Sequence, residues 1–259
     1  MRFFFLLIAL ALLLFVRCSI ETAKEPASSY LHIATDVFKQ KDAKLFDAFT
    51  KQTGTKIRFH HMSPDSLKNY IKQKKYTCLI DMAIYANPFR FETMRHEKLI
   101  DYIKSSEIGN ESKPTFQTVV PLFRNALCLI QKRDTAIVKH VKVSSSKLLQ
   151  QPISTTLTKK EMHLLAMTLT DKKQREEMLS AIYRNKLTFS APLSVSNTKM
   201  LVLRNEINSI SNRKRLYIKP LENPINYTSA AVLKHGDSYM LSINFINHIK
   251  KTTQNGFFT

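Results

Sequence analysis

From residue 30 onward the chain alternates short apolar runs with stretches of helical periodicity. Residues 31–35 are short and partly β-branched, and they end at Asp36, which favours turns over strand interiors. From Asp42 the period changes: Leu45, Phe46, Ala48 and Phe49 fall on one helical face, with Asp42, Lys44, Asp47 and Lys51 opposite. Gly54 stands where a left-handed residue commonly stops a helix, and residues 56–59 then predict a second strand. A helix between two short strands is the right-handed crossover of a parallel sheet. Ligands of such sheets sit beyond the strands' C-terminal ends, here residues 35–40.

The same alternation continues. A helix over 67–75 leads to an apolar strand over 78–85, which Asn87-Pro88 breaks, and residues 89–100 return to helical spacing. Residues 118–122 and 126–130 are two further apolar runs, so the first half predicts an α/β domain. The middle is more helical: a short helix at 144–149, then 160–169 with Thr158 able to cap it, 175–183, and 198–209. Residues 216–218 and 230–233 predict strands, and 238–250 an amphipathic helix.

The first eighteen residues change the picture. Arg2 followed by the fourteen apolar residues 3–16 has the form of a signal peptide, cleaved or retained as an anchor, and 19–29 of a linker. Without the leader the chain carries a charge of about +18, which favours anionic partners. The basic residues are scattered without interleaved aromatics, so no specific nucleic-acid binding is expected. Beyond Cys18 only Cys78 and Cys128 remain, each in an apolar run, as a disulfide pair or as two buried thiols.

Enzyme signatures are scarce. With four glycines there is no phosphate-cradling Gly-rich loop, and neither a G-x-S-x-G elbow nor an H-E-x-x-H motif occurs. His60 and His61 are neighbours on a strand and point to opposite faces, a poor arrangement for chelating one metal. No catalytic residue and no resident cofactor is assigned, and the chain is expected not to be an enzyme.

Residues 44–54 (Lys-Leu-Phe-Asp-Ala-Phe-Thr-Lys-Gln-Thr-Gly) within 31–59, and residues 226–235 (Asn-Tyr-Thr-Ser-Ala-Ala-Val-Leu-Lys-His), resemble the opening and close of ferric-iron-binding solute-binding proteins of ABC transporters. The blocks at 78–102 and 118–134 agree in order and spacing. The resemblance implies an α/β, two-lobed type 2 periplasmic-binding-protein fold with two crossing strands, near 118–122 and 216–220. Residues 30–120 plus 221–259 would form one lobe and 121–220 the other. It also implies a monomeric, extracytoplasmic receptor, periplasmic or membrane-anchored, that hands a small-molecule or metal ligand to an inner-membrane ABC permease.

The iron chemistry departs from the family. Ferric iron needs phenolate and carboxylate oxygens. The family's paired tyrosines align near residues 197–199, its early His-Tyr near Phe38-Lys39 and its first acidic ligand near Ala86-Asn87. None of these is a good ferric ligand. Asp36, Lys39, Asn87, Arg124, Thr158 and Asn197 are the expected cleft-lining groups, and Tyr85 and Tyr227 the remaining metal candidates. The expected ligand is an anionic small molecule or metal–anion complex, with Fe3+ or an anion as cargo. The alternative is a binding-protein scaffold reused as a basic, secreted or anchored interaction protein contacting acidic partners, membrane or nucleic acid.

Overall fold

A computed structural model describes residues 30–74, 77–109, 116–132, 153–184, 187–189, 200–207, 216–221, 226–236 and 238–254. The leader and linker, Asn197, Lys199 and the expected helix at 144–149 lie outside these residues.

The first sheet grows from the unit read at residues 31–59. Strand β1 (Tyr30–Thr35) leads through a 3-10 turn (Gln40–Phe46) and helix α1 (Asp47–Thr53) to β2 (Lys56–His61), and helix α2 (Pro64–Lys74) leads to β3 (Met82–Tyr85). β1 pairs in parallel with both β2 and β3, so both connections are crossovers. Gly54 ends α1 at φ 73°, the left-handed geometry that favours glycine there. β2, at the edge, alternates buried and exposed side chains, whereas every residue of central β3 is buried. A short α3 (Glu92–His96) follows β3, and β4 (Ile103–Lys104) pairs with β5 (Phe116–Gln117) as a separate ribbon. β6 (Val120–Arg124) and β12 (Tyr227–Val232) complete the sheet in the order β2-β1-β3-β12-β6. The C-terminal helix, α7 (Tyr239–Gln254), covers one face with Ile243, Phe245, Ile246 and Ile249. Phe46 and Phe49 each meet Phe245 at 5.0 Å between ring centroids. Burying rings of this size contributes about 2–3 kcal/mol each.

The second sheet has the order β11-β7-β10-β8-β9. Its strands are β7 (Leu127–Lys132), β8 (Ile153–Thr155), β9 (Leu187–Thr188), β10 (Met200–Leu203) and β11 (Leu216–Pro220). Helices α4 (Lys159–Met167) and α5 (Lys172–Tyr183) cover it through Met162, Leu165, Ala166, Met178, Ala181 and Ile182. This is the two-lobed α/β fold that the resemblance implies.

Three local expectations change. The helix expected at 198–209 is strand β10 followed by a single turn, α6 (Arg204–Ile207); four consecutive apolar residues, Met200–Leu203, suit a strand buried on both faces. The strand expected over 78–85 is only Met82–Tyr85. The two expected crossings are regular strands of the sheets: β6 pairs with β12, and β11 with β7. The chain passes from the first sheet to the second just beyond β6, at Asn125-Ala126, and its return joins β11 of one sheet to β12 of the other. Cys78 and Cys128 are both buried free thiols, in the apolar layers of different sheets.

Candidate functional site

Strand direction brings one end of each sheet to the same place. β1, β3 and β6 run parallel in effect, so Asp36, Ala86-Asn87 and Asn125 follow their C-terminal ends. In the second sheet β8 and β10 are parallel, so Thr156–Thr158 and Arg204–Glu206 follow theirs. Polar groups released from both sheets meet between them, where parallel α/β sheets place their ligands.

At the centre is Arg90, on the 3-10 turn Pro88–Phe91 that Asn87 caps by accepting from the Phe89 N–H. Its guanidinium Nη1 donates to Asp36 Oδ2, and its Nε donates to Glu161 Oε1 at 2.8 Å. Asp36 belongs to the first lobe and Glu161 to the second, so one side chain ties the two together. All three side chains are largely buried. Burial opposes the charge on Arg90, but the Asp36 and Glu161 carboxylates outweigh it and raise the guanidinium's pKa further. Burial alone would likewise raise Glu161. Arg90 and the donors of Thr158 instead hold it below the usual carboxylate range. Thr158 and Glu161 form a capping box at the start of α4: the Thr158 N–H and hydroxyl donate to Glu161 Oε2 at 2.9 Å, and Glu161 N–H returns to Thr158 Oγ1.

A third carboxylate stands close by. Glu206, on α6, accepts from Thr156 Oγ1 at 2.7 Å and from Leu203 N–H at 3.0 Å, and burial pushes its pKa up despite these donors and Arg90. At the rim Lys160 meets Glu92 across the lobes at 2.5 Å. Apolar contact accompanies the charges: Val37, Ala86 and Phe89 of the first lobe join the second lobe's core with Leu157, Met162 and Leu203.

Behind this cluster the two crossings are locked by amides. Asn125 N–H donates to Asn226 O at 2.9 Å. The Nδ2 groups of Asn125 and Asn226 both donate to Ala86 O, at 3.1 and 2.8 Å. Asn125 also exchanges two hydrogen bonds with Asn205. Ala86 N–H donates in turn to Asp36 Oδ1, so one residue, through its two backbone groups, is bonded to both the crossings and the charged cluster.

Of the sequence candidates, Asp36, Asn87 and Thr158 come together around Arg90. Lys39 is exposed at the start of the 3-10 turn, its N–H bound to Asp42, and Arg124 is exposed at the end of β6. Tyr85 is fully buried against Phe91, and burial raises its hydroxyl's pKa. Tyr227 is 41 % exposed at the start of β12. Among the described residues no cluster of three or more His, Cys, Asp or Glu could hold a metal ion. His60 pairs with His32 rather than with His61. Nδ1 of His32 and Nε2 of His60 face each other at 2.9 Å, the geometry of one shared proton rather than of two lone pairs converging on an ion. Arg90, Glu161 and Glu206 escaped the sequence reading, since lone charged residues in amphipathic turns look like solvated ones. The legible signal was the Thr158-x-x-Glu161 capping box.

No family sequence model matches the chain, and no curated protein matches it by sequence. Solved structures do. The Trichodesmium iron-binding protein IdiA (FutA), in complex with iron and citrate, superposes with a TM-score of 0.62 at 16% identity, over 88% of this chain and 83% of that one. The ferric binding protein of Campylobacter jejuni gives 0.62 at 13%, over 85% and 80%. The spermidine/putrescine substrate-binding protein PotD of Streptococcus pneumoniae gives 0.58 at 17%, over 87% and 79%. Together with the two α/β lobes and the two crossings between them, these likenesses establish that the chain has the type 2 periplasmic-binding-protein fold.

Proposed function

We propose that this protein is an extracytoplasmic solute-binding protein, which closes its two lobes on a ligand and delivers it to a membrane permease. The observation that carries the reading is the meeting of side chains from both lobes in one part-buried charged cluster at the strands' C-terminal ends. Support comes from the solved proteins of the same fold, one of them in complex with iron and citrate and another a spermidine/putrescine substrate-binding protein. The leader-like form of residues 2–16 agrees with export.

Closure would be a population shift, in which ligand stabilises the shut form by its higher affinity for it. An anion or ferric complex would have to compete for a guanidinium that two carboxylates already hold. Titration calorimetry against ferric citrate, phosphate, nucleotides and polyamines, read beside small-angle scattering, tests the receptor reading. Saturable binding with a fall in radius of gyration supports it. Salt-sensitive, unsaturable binding to every polyanion, with no change of shape, sinks it.

The Arg90 bridge also favours a second reading, a scaffold already held shut by its own residues that meets acidic partners through its basic surface. In that case no small molecule in the panel would change the scattering profile, and polyanions would bind only in a salt-sensitive way.

A further inference from the structure

We propose that the Arg90 guanidinium occupies the cleft as a built-in ligand, and that the solute this cleft accepts is an organic cation, a guanidinium or primary amine, that takes its place. The proposal rests on the receptor reading above and adds the class of solute to it. Arg90 makes the contacts a closing ligand would make: one nitrogen on Asp36 from the first lobe, another on Glu161 from the second. Its own backbone belongs to the first lobe, through Arg90 N–H to Asn87 O at 3.1 Å, so the bond to Glu161 is the one that crosses the cleft. Carboxylates are arranged here as a cation's surroundings. Asp36 is held by Ala86 N–H and Glu161 by Thr158, each leaving an oxygen for the occupant, and Glu206 adds a third acid within electrostatic reach.

Two further polar atoms on the same stretch have no hydrogen-bond partner among the described residues. Tyr85 Oη and Asn87 Nδ2 are both on fully buried residues, and the Tyr85 hydroxyl feels the charges of Asp36 and Arg90. Buried polar atoms are ordinarily bonded, so a larger occupant than one guanidinium would have bonds to gain here. An anion would meet the Asp36 and Glu161 carboxylates and a cation they already neutralise.

An intramolecular occupant competes at high effective concentration, so it must weaken a free cation's apparent affinity in proportion to the time it holds the seat. Calorimetry with agmatine, and with sodium chloride at equal ionic strength as control, measures this. Arg90→Ala should bind agmatine at least about tenfold more tightly than the wild type, and agmatine should restore the compact scattering profile that the substitution loosens. Glu161→Gln added to Arg90→Ala should abolish that gain. Arg90→Met, which keeps the volume of the side chain, serves where the alanine variant does not fold.

In the wild type, the Nε–H resonance of Arg90 should shift saturably as agmatine is added, and its failure to move overturns the proposal whatever the variants do. Equal affinity in wild type and variant overturns it too, as does a folded variant that binds no cation. Should the wild type instead close on ferric citrate or phosphate with the Arg90 resonance unmoved, the receptor function stands and the cationic solute falls.

Discussion

The two lobes touch through two polar regions that differ in kind. At the hinge Asn125 and Asn226, both buried, bind each other and the Ala86 carbonyl, and half-buried Asn205 bonds to Asn125, all as neutral amides. At the mouth Asp36, Arg90 and Glu161 do the equivalent work as ions, each retaining some exposure. Neutral amides lose modestly on burial and are indifferent to pH, whereas ions lose much and must be paired to stay. A fixed pivot calls for the first chemistry. The proposed closure would need a contact of the second kind, because salt, protons or a competing ion can each release it.

The largest effect should come from the ionic side. Arg90→Ala leaves two carboxylates facing each other without their cation and should cost about 3 kcal/mol, the residual exposure keeping it at the low end for a buried pair. Urea denaturation at neutral pH measures it. Asn226→Leu removes both donors from Nδ2 and should cost about 2 kcal/mol, by the usual loss for a buried acceptor left unmet. Its distinguishing mark is that the loss should not change with salt, while that of Arg90→Ala should.

Because Ala86 carries bonds to both regions, the two substitutions should not add. A coupling of about 1 kcal/mol in the double-mutant cycle is expected, and strict additivity would show the hinge and the mouth to be independent.

Acid separates them again. Glu161 has a folded pKa below its ordinary 4.5, so its contribution is fully present above that value and is lost as pH falls through the folded one. The hinge has nothing to titrate. A milder loss should begin at higher pH from His32 and His60, whose pKa values burial, aided by Arg58, depresses below 6.5. Unfolding frees both to take up protons, so stability falls as pH drops below 6.5, and His60→Gln should flatten that part of the curve. The smallest effect belongs to the rim. Lys160→Ala breaks an exposed ion pair with Glu92 and should cost no more than about 0.5 kcal/mol, vanishing in high salt.

Much of the scaffold follows from the order of residues alone. The shift from strand to helical period over residues 31–59 fixed β1, α1, Gly54's turn and β2, because side-chain periodicity is a local property. The C-terminal helix was legible for the same reason. β10 was not: Met200–Leu203 carries no period, and only its neighbours β7 and β8 make it a strand. The site divides similarly. Asp36, Asn87 and Thr158 could be found because each ends a strand or starts a helix, positions that sequence marks. Arg90 and Glu161 lie 71 residues apart on elements of different lobes, and nothing local distinguishes them from solvated charges. Their pairing, and with it the sign of the charge between the lobes, was decided only when the two sheets met, since Coulomb energy depends on distance in space and not along the chain.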